Sequence, residues 1–352
     1  MNTTHHPAIT LTQADGKYVV MNSARVCTRC VLPETFPEIS FNSEGICSYC
    51  IASQGQELVS DDTYRTQLEA ALNTADPARS YDCLALYSGG KDSSMALIEL
   101  RERYGLRVLA FTLDNGYIAN ATTQNMQRIL DSLGIDHVMY RPAKQVMRRV
   151  YSISLTEPFD TETTKYSTSA CGSCISMVLG GAIEIATEKR IPLLVGGWTP
   201  GQFTDSAFLP GGFLVDICSR HFGPLQQRSR ELNVALSRYQ GEREQHERLP
   251  SLFNPLYCTR YDEDEIIAAL TARGWIAPED TDSCSTNCRL NGLLIVRHMM
   301  VYGYHPYVYE LGHHVRKGYM QRDTALNKLK YINVNVQLAQ AVSAEVDVHL
   351  PA

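Results

Sequence analysis

The chain predicts an α/β fold built on a doubly wound parallel sheet, with a cysteine-rich module before it and a helical region after it. Three observations carry this. From Tyr81 onward, short apolar runs alternate with amphipathic stretches. A later stretch places Ile175, Val178, Leu179, Ala182, Ile183 and Ala186 on one helical stripe and is followed directly by a short apolar run at 192–195. Polar, glycine-bearing segments fall after the apolar runs, at Ser88, Asp114 and Gly196. Alternation of this kind buries a parallel sheet between two helical layers through right-handed crossovers, and ligands collect at the carboxyl ends of its strands.

Residues 1–23 show neither a strong period nor a breaker cluster and are expected to form a lightly docked arm. Residues 24–55 hold the cysteine-rich module, and 56–258 the α/β domain. Its strands are predicted at 83–87, 107–112, 137–140 and 192–195, and its helices at 93–104 and 121–133. The last of these carries Met126, Ile129, Leu130 and Leu133 at i, i+3, i+4 and i+7. The pattern degrades over 201–255: residues 203–214 read as loop, and the Arg-, Glu- and Gln-rich segment 226–247 as a solvated helix or a lid. Asp262 with Glu265 three residues on resembles a capping box for a helix through Arg273, closed by Gly274. The region 259–352 is expected to be mainly helical, without signal in its last twenty residues.

The most specific segment is Ser88-Gly89-Gly90-Lys91-Asp92-Ser93-Ser94, between the run 83–87 and the amphipathic stretch 95–104. A strand turning through two glycines into a helix points free backbone N–H groups at the positive end of the helix dipole, which makes a phosphate cradle. Lys91 adds charge, and the hydroxyls of Ser88, Ser93 and Ser94 add donors. The spacing differs from that of the ordinary P-loop, which needs four residues between its first glycine and Gly-Lys. It matches Ser-Gly-Gly-x-Asp-Ser, and on these residues the chain resembles the PP-loop ATP pyrophosphatase superfamily (adenine nucleotide alpha hydrolase-like). The resemblance implies magnesium-ATP cleaved between its α and β phosphates, with a substrate oxygen adenylated. It also implies base and ribose contacts at Leu113 and Asp114 and close backbone approach at Gly196 and Gly197. Asp92 is expected to hold the loop or magnesium. The histidine and aspartate pair that thiolating members carry after the third strand are missing here; Gln202 or Asp205 are candidate substitutes.

Cys27, Cys30, Cys47 and Cys50 form C-x2-C-x16-C-x2-C, the spacing of a closed four-thiolate zinc site. A second set comprises Cys171 and Cys174, which open the apolar-striped helix, with Cys284 and Cys288 far downstream. The helix dipole is expected to favour thiolates at Cys171 and Cys174, for metal ligation or sulfur transfer. The run Asn254-Pro255-Leu256-Tyr257, then Asp264-Glu265-Ile266-Ile267, then Cys284, resembles tRNA 2-thiocytidine-forming enzymes. That likeness implies a [4Fe-4S] cluster on Cys171, Cys174 and Cys284, with Cys288 the competing third ligand, and an ATP-dependent sulfurtransferase that replaces a carbonyl oxygen by sulfur. A persulfide relay among the same thiols, or plain structural thiols, are the other readings. Residues 27–112 and 316–323 resemble N-acetyl sugar amidotransferases instead, which use ammonia from a partner glutaminase and need no cluster.

With 44% hydrophobic and 20% charged residues, no apolar run of membrane-span length and no secretory pattern at its start, the chain reads as cytoplasmic. Its net charge of −6 argues against wholesale capture of nucleic acid, and a small nucleobase, nucleotide or amide substrate is narrowly favoured over tRNA. Arg316, Lys317, Arg322, Lys328 and Lys330 form either a local basic patch or a solvated helical surface. A sulfur donor protein or free sulfide, and a homodimer, complete the expected partners.

Overall fold

The computed structural model describes residues 6–14, 17–54, 61–73, 76–202, 206–237 and 249–346. Strands β1 (Ile9–Ala14) and β2 (Lys17–Asn22) form an antiparallel hairpin in which Ala14 pairs with Lys17. The expected N-terminal arm is therefore a strand pair, and its Ile9, Tyr18 and Val20 enter the main core. Asp15-Gly16, a hairpin dipeptide between two alternating runs, is the signal that was there to read. The cysteine module follows, with one short helix α1 (Ser48–Ala52), and then α2 (Asp61–Asn73).

The α/β domain runs β3 (Cys83–Leu86), α3 (Lys91–Ile98), β4 (Val108–Leu113), α4 (Asn120–Leu133), β5 (Asp136–Tyr140), α5 (Lys144–Thr156) and α6 (Thr161–Thr164). It continues with α7 (Ser169–Glu188), β6 (Leu193–Val195), β7 (Phe208–Leu209), α8 (Gly211–Arg228), α9 (Arg230–Ser237) and β8 (Ser251–Phe253). The sheet order is β5-β4-β3-β6-β8-β7, parallel throughout except for the antiparallel edge strand β7. Alternate residues of β3 and β4 serve opposite cores. Leu84, Leu86, Leu109 and Phe111 pack under α5, α7 and α8, whereas Cys83, Ala85, Val108 and Ala110 pack under α3 and α4. Burial on both faces is why these strands read as continuous apolar runs.

Residues 206–237 correct the loop and lid expectations. Leu214, Phe222 and Leu225 of α8 and Leu232 and Leu236 of α9 are fully buried in the main core, so this part of the insertion is a structural helix pair. The remainder of the segment, 238–248, and Asp205 lie outside the described residues. Among the described residues, α7 alone is long and apolar enough to cross a membrane, and it is packed against α5, α8 and β3 as a core helix.

The C-terminal region contains α10 (Glu263–Thr271), α11 (Asn291–Tyr302), α12 (Val308–Lys317), α13 (Arg322–Lys330), strand β9 (Tyr331–Ile332) and α14 (Val336–Val346). Asp262 caps α10 as expected, accepting from the N–H groups of Asp264 and Glu265. β9 closes onto β2. The cysteine module docks on α12 and α13: Phe36 packs edge-on to Tyr304 and stacked on Tyr309, and Arg322 donates to the carbonyls of Cys30 and Cys27 at 2.9 and 3.0 Å. The supposed basic patch is thus largely spent internally, with Lys328 paired to Glu263 at 2.7 Å and Arg316 over the Tyr309 ring.

Candidate nucleotide and thiol site

The chain starts at β3 in the middle of the sheet, builds β4 and β5 to one side, then crosses to β6 and β8 on the other. The switch point lies between β3 and β6, where an open parallel sheet leaves a crevice for ligands. Two glycine loops meet there. Gly89 takes the left-handed φ of +74° that a side chain disfavours, and its carbonyl accepts from the Trp275 indole at 3.2 Å. Gly90 caps α3. The hydroxyls of Ser88 and Ser93 lie 3.0 Å apart, and Ser93 Oγ also donates to the Gly90 carbonyl. From the β6 side Gly197 approaches so closely that a Cβ would stand 2.4 Å from Ser93 Cα.

Ser88, Gly90, Lys91, Asp92, Ser93, Leu113 and Gly197 line a cleft of about 240 Å³. Gly89, Ser94, Asp114 and Gly196 do not. Ser94 is fully buried against the Tyr87 hydroxyl, and Gly196 is covered by the Trp198 ring. Asp114 is consumed by Arg141, whose Nε donates at 2.7 Å, and by the Gly116 amide at 2.8 Å. Its neighbour Asn115 reaches the cleft in its place.

Lys91 is held differently from a free phosphate ligand. Its ammonium sits 2.6 Å from Asp92, 3.1 Å from the Tyr261 hydroxyl and 3.5 Å from Glu263. Burial alone would lower its pKa, but Asp92, Tyr261 and Glu263 outweigh it and hold Lys91 charged well above its usual value. Asp92 also accepts from Tyr261 at 2.9 Å, so it fixes the loop and its lysine. The backbone N–H of Lys91 is taken by Thr286 Oγ1 at 3.0 Å, which bolts the downstream cysteine segment to the cradle.

Beside this cage lies Glu310, whose Oε1 accepts from Thr199 at 2.6 Å while Oε2 has no partner among the described residues. Burial pushes its carboxyl up to about 7, against the lowering effects of Thr199 and Lys91. A carboxyl raised in the folded state favours the protonated form there. Its stabilising proton is fully present below the ordinary carboxylate range and is lost as pH climbs through about 7. Glu310→Gln is therefore expected to remove a fall in stability of roughly 3 kcal/mol between pH 5 and 8, read from denaturant midpoints across that range. An unchanged pH profile in the variant would exclude Glu310 as its source.

The far end of the same cleft is lined by Cys171, Cys174, Cys284 and Cys288. Asn115 Nδ2 lies 3.9 Å from Cys174 Sγ and 3.7 Å from Cys288 Sγ, and a bridge between Ile118 and Cys288 fixes that register. Cys288 is thus the distant cysteine that stands with the pair on α7. Cys284 faces Asp282, Glu263 and Glu310 and also lines a small polar cavity with Lys91, Tyr261 and His314. The expected easy ionisation at the start of α7 is corrected: burial pushes the thiols of Cys171 and Cys174 up to about 12. Thr168 caps the helix by accepting from the Cys171 amide, but among the described residues no cation reaches these sulfurs to offset their desolvation. Cys171, Cys174 and Cys288 are not within 4.8 Å of one another, unlike the only such group among the described residues, Cys27, Cys30, Cys47 and Cys50.

That first group is fully buried, with Cys27–Cys50 and Cys30–Cys47 sulfur separations of 3.8 and 3.7 Å. Sulfurs bonded at about 2.3 Å to one tetrahedral ion stand about 3.8 Å apart. Amides of Cys30 and Cys47 also point at Cys27 Sγ. Hydrogen bonds from Cys47 and Cys50 hold the Cys30 thiol down to about 2, while that shared charge pushes Cys47 and Cys50 up. Four thiolates here need a cation. Tyr261, Glu263, Thr286 and Glu310 escaped sequence reading because they come from a region without strong motifs; the capping box at Asp262 was the one local pointer.

No family profile matches the chain. It is 22% identical to an uncharacterized protein of Methanocaldococcus jannaschii over 305 residues, 86% of this chain and 92% of that one. Among solved structures it is similar to the U34-tRNA thiolase NcsA of Methanococcus maripaludis with its [4Fe-4S] cluster, at 14% identity, 93% and 97% coverage of the two chains and a TM-score of 0.35. It is similar also to NMN synthetase of Francisella tularensis, at 15% identity, 84% and 99% coverage and a TM-score of 0.30.

Proposed function

We propose that this chain is a cytoplasmic PP-loop ATP pyrophosphatase of the sulfur-inserting type. One observation carries the reading: a single cleft joins the Ser88–Ser93 cradle at the switch point to the thiols of Cys171, Cys174, Cys284 and Cys288, of which Cys288 shares Asn115 with the α7 pair. In the first half-reaction the ATP phosphates rest on Ser88, Gly90 and Ser93, and magnesium arrives with the nucleotide. A carbonyl oxygen of the substrate attacks the α-phosphorus, pyrophosphate leaves, and the oxygen is carried off as AMP once sulfur takes its place on carbon. Amides aimed at the departing phosphates stabilise the charge that develops there.

The donor set fits an iron–sulfur cluster. The thiols of Cys171, Cys174 and Cys288 open on the cleft, Asn115 donates to those of Cys174 and Cys288, they stand too far apart for one small ion, and among the described residues no cation supports ionisation of the α7 pair. A [4Fe-4S] cluster would be held by Cys171, Cys174 and Cys288 and would supply the sulfide that displaces AMP. The Cys27, Cys30, Cys47 and Cys50 site is assigned to structural zinc.

The test is anaerobic purification with iron, sulfide and zinc counts, followed by AMP release in sulfide against ammonium. Cys288→Ala is expected to lose most of its iron with zinc unchanged, whereas Cys284→Ala keeps both. Iron retained in Cys288→Ala and lost in Cys284→Ala would move the third ligand to Cys284. Iron absent from the wild type, with turnover supported by ammonium alone, would convert the assignment to amide transfer.

A further inference from the structure

We propose that a second, smaller cavity at the amino end of α7 binds one small monovalent anion of halide or hydrosulfide size. It has a volume of about 20 Å³ and is walled by residues of α5, α7 and α11, among them Ser154, Ser169, Arg297 and His298. Space on this scale holds one water-sized species and excludes a nucleotide or an organic acid.

Arg297 is 5% exposed, and its one hydrogen bond runs from Nε to the Leu155 carbonyl at 2.9 Å. Among the described residues it has no carboxylate partner. A buried guanidinium without a counter-charge is costly, and a chain that retains one beside a cavity has a standing demand for an anion. His298 is 3% exposed, lines the same cavity, and among the described residues leaves both ring nitrogens unpartnered, its ring held by Tyr302 and Tyr304. Burial keeps that imidazole neutral, so it offers an N–H without adding a second charge. The first-turn amides of Ser169 and Ala170 find no acceptor among the described residues, and they stand at the positive end of a 20-residue helix. Leu155, Leu294 and Val301 complete the wall, which suits a weakly hydrated anion. Ammonium, by contrast, meets Arg297.

Ala170 and Leu294 also line the catalytic cleft, so an anion held here is one wall away from Cys171 and Cys174. Hydrosulfide as the natural occupant rests on the sulfur-inserting reading; the anion site itself does not.

The experiment compares the melting temperature of the full chain with that of Arg297→Leu in sodium bromide, sodium hydrosulfide under argon, and sodium gluconate at equal ionic strength. Bromide and hydrosulfide are expected to raise the wild-type value saturably by a few degrees, gluconate not, and Arg297→Leu to show no such rise. An identical response to bromide and gluconate, or a bromide response retained in Arg297→Leu, overturns the proposal. Should that variant not fold, bromide-soaked wild-type crystals decide: an anomalous peak beside Arg297 upholds the site, and its absence overturns it. Bromide binding without effect on sulfide turnover still upholds the anion site, while counting against hydrosulfide as its occupant.

Discussion

Gly197→Ala is expected to lower ATP-dependent pyrophosphate release by about 100-fold or more, because geometric errors of an ångström at a reacting centre cost that much. The added Cβ would stand 2.4 Å from Ser93 Cα and 2.8 Å from Ser93 N. Both are backbone atoms at the first turn of α3, so no rotamer change relieves the clash, and the β3 and β6 loops must part. Ser93 holds Ser88 and Gly90 through its hydroxyl, and parting the loops dissolves the convergence of donors on one phosphate. Overpacking of this kind also costs about 1–3 kcal/mol of stability, so thermal melts accompany the assay. Gly223→Ala is the control: nothing lies within 4 Å of its added carbon, and a helix-interior alanine is neutral or better. Wild-type pyrophosphate release in folded Gly197→Ala would mean that the two loops do not clamp one ligand.

What the sequence made legible is what short-range chemistry determines. The glycine loop, the strands before it and after it, and the paired Cys-x2-Cys knuckles are each specified within a few residues, and each stands where its pattern put it. Register across long separations was not legible. Whether Cys284 or Cys288 joins the α7 pair depends on the bridge from Ile118, more than 160 residues upstream, and nothing local to 284–288 encodes it. The family resemblance implied a ribose contact at Asp114 from its place after the second strand; its ion pair with Arg141, on the next strand end, turns it aside. The start of α8 read as loop and α9 as a solvated helix or a lid, whereas their apolar faces complete a core that only the assembled sheet presents. Tyr261 reaches Lys91 from the turn before α10, and Glu310 is brought beside that cage by α12, which docks against the cysteine module.

Stripping the metal from Cys27, Cys30, Cys47 and Cys50, or replacing Cys47 by alanine, is expected to cost more than any single change in the cleft. Structural four-thiolate sites contribute apparent binding free energies of roughly 10 kcal/mol or more, comparable to the whole stability of a domain. The loss does not stay local. Arg322 is anchored on the carbonyls of Cys27 and Cys30, and Phe36 is wedged among Tyr49, Tyr304 and Tyr309, so a collapsed knuckle releases α12 and α13 together. α12 carries Glu310 and His314, which stacks on Tyr261 over Lys91, and α13 carries Lys328, the partner of Glu263. A metal on these four sulfurs would therefore support the lysine cage behind the phosphate cradle from the other end of the chain. Chelated protein should show faster amide exchange and proteolysis across 308–330, a lower melting temperature and depressed adenylation, all restored by one equivalent of zinc. Unchanged exchange in 308–330 after complete metal removal would detach the module from the catalytic half and leave it a separate appendage.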